Sequence, residues 1–131
     1  MKHPIVIIGL NPAWQRVLSI PHFKSNEINR IDTVIEYASG KGINCAQILK
    51  KVGGDGVLLQ CVGGTTGEQI VTALNNAEIK HHSIPVSYKT RICQTVCDSF
   101  GAATEIIEPS GTLTGDERTS LNMALKAHLL E

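Results

Sequence analysis

The sequence predicts an α/β fold around a mostly parallel sheet, because strand-like and helix-like segments alternate along it. Short apolar runs typical of buried strands occupy 4–10, 56–62 and about 82–86. Apolar residues recur at helical spacing over 43–52, about 68–77 and 115 to the end. Strands and helices in this order indicate βαβ units, and the remaining β-prone segments suit a second, small sheet.

The first half of the chain supports this order. The strand at 4–10 is rich in Ile and Val and stops at Asn11-Pro12. Two β-prone stretches follow, and a polar segment joins them. The glycines of 40–42 (GKG) precede the first helix, and Gly53-Gly54 is a stop signal behind it.

The second half repeats the alternation. Residues 63–67 (GGTTG) predict a tight turn between the strand at 56–62 and the second helix. Residues 89–98 alternate in the manner of a strand, and 103–108 follow after a turn at Gly101. Thr114 and Glu117 have the spacing of a capping box, which predicts the start of the last helix.

Composition excludes several classes of function. The 131 residues contain 12 basic and 12 acidic side chains, so no basic excess points to nucleic acid or anionic lipid. No apolar run approaches the roughly 20 residues that a membrane span needs. The first residues lack a signal-peptide pattern, so we expect a cytoplasmic protein.

Metal and redox sites are not expected. The four cysteines match no zinc spacing, and in a cytosolic protein we interpret them as small apolar residues. His81 and His82 have no acidic or cysteine partner at ligand spacing, so we expect surface residues there. The GGTTG turn departs from a dinucleotide fingerprint, and no phosphate loop of the G-x-x-x-x-G-K-[ST] type is present.

The segment 39–44 (SGKGIN) is the strongest candidate site. Its glycines let backbone approach a ligand closely, and the following helix N-terminus favours an anion. Lys41 adds a positive charge, and Asn44 can both donate and accept hydrogen bonds. The segment therefore suits a phosphorylated or polyhydroxylated ligand, although a simple glycine-rich helix cap would look the same.

This segment resembles the G-G-K-G-x-N signature of the PfkB sugar kinases, a ribokinase-like family. Other motifs resemble the branch with 1-phosphofructokinase and tagatose-6-phosphate kinase, in the same order along the chain: 10–13 (LNPA), Asn29-Arg30, 63–67 (GGTTG), Thr90-Arg91 and 104–109 (TEIIEP). Several motifs in one order over nearly the whole chain are more specific than any one alone.

The resemblance implies a Rossmann-like α/β domain in which residues 1–131 are the N-terminal portion. A small β-sheet lid would be inserted in it, with strands at about 15–20, 31–38, 89–98 and 103–108. The lids of two subunits often clasp in such enzymes, so a homodimer is expected. The implied reaction is ATP-dependent phosphorylation of fructose 1-phosphate, fructose 6-phosphate or tagatose 6-phosphate, with Mg²⁺ as the ATP partner.

The resemblance also implies a substrate site between lid and core. Its expected residues are Asn11, Gln15, Gly40, Lys41, Gly42, Asn44, Arg91 and Glu105. Arg91 suits phosphate binding because its planar guanidinium can donate hydrogen bonds to two phosphate oxygens at once. It could instead form an ion pair with Glu105 on a neighbouring strand.

Two departures from the family pattern concern the identity of the sugar. Gln15 stands where the family usually has Asp, and Ser39 replaces the first signature glycine. A serine there is tolerable if its backbone avoids positive φ. Trp14 could stack on a sugar or fill a lid core.

The family's catalytic G-A-G-D run has no counterpart among the 131 residues. We therefore expect no catalytic residue and no bound ATP or Mg²⁺ in this chain, and no turnover by it alone. The alternative is a non-catalytic module that binds a sugar phosphate or dimerises.

Overall fold

The computed structural model describes residues 5–130, which form seven strands and three helices. In chain order they are β1 (Ile5–Ile8), β2 (Ala13–Ile20), β3 (Thr33–Ser39), α1 (Lys41–Lys51), β4 (Gly56–Val62), α2 (Gly64–Asn76), β5 (His81–Pro85), β6 (Ile92–Asp98), β7 (Ala103–Ile107) and α3 (Gly115–Leu130). The expected α/β class is confirmed. Pro4 and Glu131, which the predicted first strand and last helix included, lie outside the described residues.

The core sheet is parallel and has the strand order β1-β4-β5. Helices α1 and α2 cover one face, where Ile43 and Ile70 pack against Leu58 in one buried cluster. Helix α3 covers the other face, where Ala124 joins a cluster with Leu59 and further apolar residues of β4 and β5. The central strand β4 is buried on both faces, which is why 56–62 is apolar except for Gln60, whose Nε2 donates to Ser83 Oγ.

The second sheet has the strand order β3-β2-β6-β7. These four strands correspond to the predicted lid strands, and the sheet is called the lid below. Strands β2 and β3 pair antiparallel, as do β6 and β7, whereas β2 and β6 run parallel. Strand β2 leaves the core just after the end of β1, and β3 returns to the start of α1. The lid is therefore joined to the core beside the first βα connection.

The end of β1 and the start of α1 meet backbone to backbone. A Cβ on Gly42 would lie 2.5 Å from the Cα of Gly9, and a Cβ on Gly9 would lie 2.8 Å from the Cα of Gly42. Real Cβ atoms do not approach other atoms this closely, so both positions require glycine unless the backbone moves. The contact places the helix N-terminus directly against the carboxyl end of β1.

The helix start depends on a further glycine. Gly40 is the N-cap of α1 with φ 125, a region that side chains disfavour, and a Cβ there would lie 3.1 Å from the Cα of Pro12. Ser39 is the last residue of β3 and is not among the positive-φ residues. The serine in place of the signature glycine therefore fits the backbone without strain.

Several element boundaries differ from the predictions: β1 ends at Ile8 rather than 10, β2 begins at Ala13 rather than about 15, and β3 spans Thr33–Ser39 rather than about 31–38. Helix α1 begins at Lys41 rather than 43, and α2 begins at Gly64, so the expected tight turn at 63–67 is largely the first turn of a helix. Helices were predicted from apolar residues that recur at helical spacing, and glycine and threonine do not contribute to that pattern. The first turns of α1 and α2 were therefore missed. Strand β6 begins at Ile92 rather than 89. The backbone N–H of Thr90 donates to Gly63 O instead of to a neighbouring strand of the lid.

We expect Gly42→Ala to destabilise the fold by about 1–3 kcal/mol, since the added methyl group forces the backbones of β1 and α1 apart. Chemical denaturation followed by circular dichroism measures this difference. Gly115→Ala is the matched control, because nothing lies within 4 Å of a Cβ at Gly115 and its φ is not positive. Equal stability of both variants would contradict the close contact.

A chain of hydrogen bonds makes the interface between β5 and α2 sensitive to pH. The ring of His81 lies 2.9 Å from Ser83 Oγ through Nδ1 and 2.9 Å from Asn75 Oδ1 through Nε2. Gln60 Nε2 donates to the same Ser83 Oγ at 2.9 Å. These partners suit a neutral imidazole that donates from Nε2 and accepts at Nδ1. Burial lowers the pKa of His81, and the neighbouring His82 lowers it further.

Because the folded-state pKa of His81 is depressed, the unfolded chain binds the proton more readily. The corresponding stability is present above the unfolded pKa of about 6.5 and is lost as pH falls through the folded value. We expect the free energy of unfolding to fall more between pH 8 and pH 5 in the wild type than in His81→Asn. His22→Asn, a lid substitution, should behave as the wild type; parallel pH profiles for all three proteins would refute this.

Candidate functional site

A cavity of about 330 Å³ lies at the carboxyl end of β1, beside the N-terminus of α1. It brings together five of the eight predicted site residues: Asn11, Gly40, Lys41, Gly42 and Arg91. Ligands of parallel α/β sheets bind at such ends, because loops and helix N-termini converge there. The Gly9–Gly42 contact forms the floor of this cavity.

The N-terminus of α1 makes the cavity favourable for anions. No side chain caps the helix, and its first turn contains no acidic residue. The first N–H groups of an α-helix have no intrahelical acceptor and carry a partial positive charge. Lys41, at the first helical position and exposed, adds a full positive charge.

Arg91 reaches the same cavity from the connection that leads into β6. Its Nη2 donates to the carbonyl oxygen of Asn11 at 3.3 Å, and its own carbonyl accepts a bond of 3.0 Å from the backbone N–H of Trp14. Its Nε is buried and has no acceptor among the described residues. The Arg91–Glu105 pair that the sequence left open is not formed, since Glu105 lies opposite Thr95.

Thr90 holds the backbone segment that carries Arg91, a role that the sequence did not indicate. The backbone N–H of Gly63 donates to Thr90 Oγ1 at 2.9 Å, and the N–H of Thr90 donates to Gly63 O at 2.9 Å. Thr90 is only 2% exposed. The glycine turn after β4 thus holds the segment that carries Arg91. Thr90 was visible only as part of a Thr-Arg motif, and its contact with a turn 27 residues away had no local signal.

Three predicted residues do not line the cavity. Gln15 lies on β2 and donates from Nε2 to Thr95 Oγ1 at 2.9 Å. Glu105 is opposite Thr95 in the register of β6 and β7, so these polar groups share one face of the lid. Asn44 is exposed on α1.

Trp14 packs against the core rather than into the cavity. It contacts the cluster beneath α1 and α2 and lines an open groove along α2 with Thr65, Gln69 and Thr72. Trp14 therefore belongs to the core cluster of the parallel sheet and not to the separate lid cluster of Leu18, Ile20 and Val96. Its Nε1 is buried and has no partner in the described structure.

Within 5–130, no helix combines the length and apolarity needed to cross a membrane. The same residues contain no cluster of three or more His, Cys, Asp or Glu side chains placed to hold a metal ion.

Solved structures similar to this chain include a phosphofructokinase and two proteins named as putative or possible phosphofructokinases. A putative phosphofructokinase from Staphylococcus aureus has 30% identity and a TM-score of 0.84, with 93% of this chain and 39% of that protein covered. A possible 1-phosphofructokinase from Thermotoga maritima has 28% identity and a TM-score of 0.86 over 97% of this chain and 42% of that one.

Phosphofructokinase-2 from Escherichia coli, in complex with fructose-6-phosphate, shares the fold at 22% identity. Its TM-score is 0.90, and the match covers 96% of this chain and 42% of that one. The chain therefore spans about two fifths of the length of the structures it matches.

The sequence pattern of the pfkB family carbohydrate kinases matches residues 3–125, which is nearly the whole chain. The match includes both sheets, the cavity at the end of β1 and the segments that carry Lys41 and Arg91. This chain belongs to the pfkB family of carbohydrate kinases.

Proposed function

We propose that this chain is the sugar-phosphate-binding part of an ATP-dependent kinase that phosphorylates a hydroxyl group of a ketose phosphate. Fructose 1-phosphate, fructose 6-phosphate and tagatose 6-phosphate are the candidate substrates. The observation that carries the proposal is the cavity itself. The N-terminus of α1, Lys41 and Arg91 all line one space that no acidic side chain lines.

The two kinds of group in the cavity suit the two ends of a sugar phosphate. The guanidinium of Arg91 binds phosphate oxygens in pairs, and the helix N-terminus favours the same charge. Asn11, whose Oδ1 accepts a bond of 2.8 Å from Ser110 Oγ, offers polar atoms for hydroxyl groups. In this proposal Gln15, Asn44 and Glu105 complete the sugar contacts when the lid closes. The bound fructose-6-phosphate of the E. coli enzyme is consistent with this class of ligand.

ATP, Mg²⁺ and the catalytic base are assigned to parts of a complete kinase other than residues 5–130. In this proposal Mg²⁺ accompanies the nucleotide phosphates in those other parts. The cavity residues described above bind and orient the acceptor but include no base beside it. The isolated chain is therefore proposed to bind substrate without turnover.

The second candidate is a non-catalytic module that binds a sugar phosphate or dimerises, and an exposed apolar face favours it. Ile35, Tyr37 and Ile107 are 60%, 44% and 56% exposed. The strand register places all three on the face of the lid that carries Gln15. Apolar residues grouped on one face mark contact surfaces. We propose a homodimer through this face in either case; oligomers occur among the neighbours, as in the tetrameric inhibited E. coli phosphofructokinase-2.

We expect isothermal titration of the chain with fructose 6-phosphate or fructose 1-phosphate to detect binding that Arg91→Ala weakens roughly tenfold to a hundredfold. This is the range for a lost charge-assisted hydrogen bond of about 1.5–3 kcal/mol. Lys41→Ala should weaken binding less, because the lysine is exposed and screened by solvent. Arg118→Ala and Lys51→Ala, which remove exposed charges far from the cavity, are the matched controls.

Two results would contradict this function. Unchanged affinity in both cavity variants would mean that the site lies elsewhere. ATP-dependent phosphorylation by the isolated chain, measured as ADP released in the presence of Mg²⁺, would mean that the assignment of the base to another part is wrong.

We expect sedimentation equilibrium to show a dimer that Ile35→Asp converts to a monomer, since a buried unpaired carboxylate at the lid face opposes association. Ile48→Asp is the control, because Ile48 is 58% exposed on α1, away from the lid. A monomeric wild-type protein, or a dimer that survives Ile35→Asp, would argue against the lid as the interface.

A further inference from the structure

Two histidines face one another across the junction of β5 and α3, away from the cavity. His82 Nδ1 and His128 Nε2 lie 3.1 Å apart, although the residues are 46 positions apart in the chain. The ring planes are nearly perpendicular, at 81°, with ring centres 5.3 Å apart. Both side chains are accessible, since His82 is exposed and His128 half-buried.

The core holds the two rings in place. His82 lies two residues before Ile84 on β5, so both side chains point toward α3, and His128 lies one helical turn after Ala124. Ile84 and Ala124 belong to one buried cluster. The distance between the rings is therefore set by packed elements rather than by a loop.

The separation of the two nitrogens suits a shared metal ion. Two imidazole nitrogens that each bind a metal at about 2.1 Å lie roughly 3.0–3.4 Å apart for angles between about 90° and 110° at the metal. The observed 3.1 Å is within this range. Imidazole is a preferred ligand of Zn²⁺, Ni²⁺ and Cu²⁺.

We infer that His82 and His128 chelate one divalent transition-metal ion, with water in its remaining positions. His81 does not take part, because alternation along the strand turns it to the other face, where Ser83 and Asn75 bind its ring. No third protein ligand is available among residues 5–130.

A metal bridge between strand and helix stabilises the folded state, since the unfolded chain does not hold the two nitrogens together. The bridge ties the last turn of α3 to the edge strand of the core sheet. The inference is independent of the sugar-phosphate function.

The test is isothermal titration of the untagged chain with NiCl₂, together with thermal unfolding with and without the metal. Ni²⁺ is the better probe because Zn²⁺ also binds thiolates, and the chain has four free cysteines. We expect one ion per chain and an unfolding midpoint that rises by about 5 °C or more at saturating metal. His82→Ala and His128→Gln should each weaken binding roughly tenfold or more.

His22→Ala is the matched control, because it removes an exposed lid imidazole and leaves the β5–α3 junction unchanged. Glutamine at position 128 can still hydrogen-bond to His82, so this variant should keep the metal-free midpoint while losing the response to Ni²⁺. The inference is overturned if the folded wild type shows neither binding nor a midpoint shift. It is equally overturned if His82→Ala and His128→Gln bind as the wild type does.

Discussion

The contact between Gly9 and Gly42 is the constraint on which the site depends. With no side chain at either position, the end of β1 and the first turn of α1 approach within backbone contact. A Cβ at either glycine would also meet the Leu58 side chain, at 3.0 to 3.1 Å, so the core fills the space behind the contact. The helix N-terminus consequently opens directly onto the end of the sheet, and a cavity of only about 330 Å³ is left between them.

A second constraint joins the lid to this core. Thr90 is bound in both directions to Gly63, and the next residue, Arg91, accepts the backbone N–H of Trp14 at the start of β2. The guanidinium is thereby anchored by the core and the lid together, while Gln15 and Glu105 belong to the lid alone. The cavity residues and the lid residues thus differ in how firmly the core positions them.

Local charge at the site does not follow the charge of the whole chain. The sequence has equal numbers of acidic and basic residues, and four basic side chains pair with carboxylates on the surface. The cavity departs from this balance, because it combines a helix N-terminus with two basic side chains and no acid.

The α/β class and the order of the elements could be predicted from the sequence, because the spacing of apolar residues and the placement of glycines are visible within short segments. Five residues of the cavity could be predicted from motifs that resemble those of the family. The sequence did not determine the first turns of α1 and α2, since glycine and threonine show no period. Only the tertiary structure decided that Trp14 packs on the core, that Thr90 holds Arg91, and that His82 meets His128. These contacts join residues far apart in the chain, and the packing of sheets and helices, rather than any local pattern, brings them together.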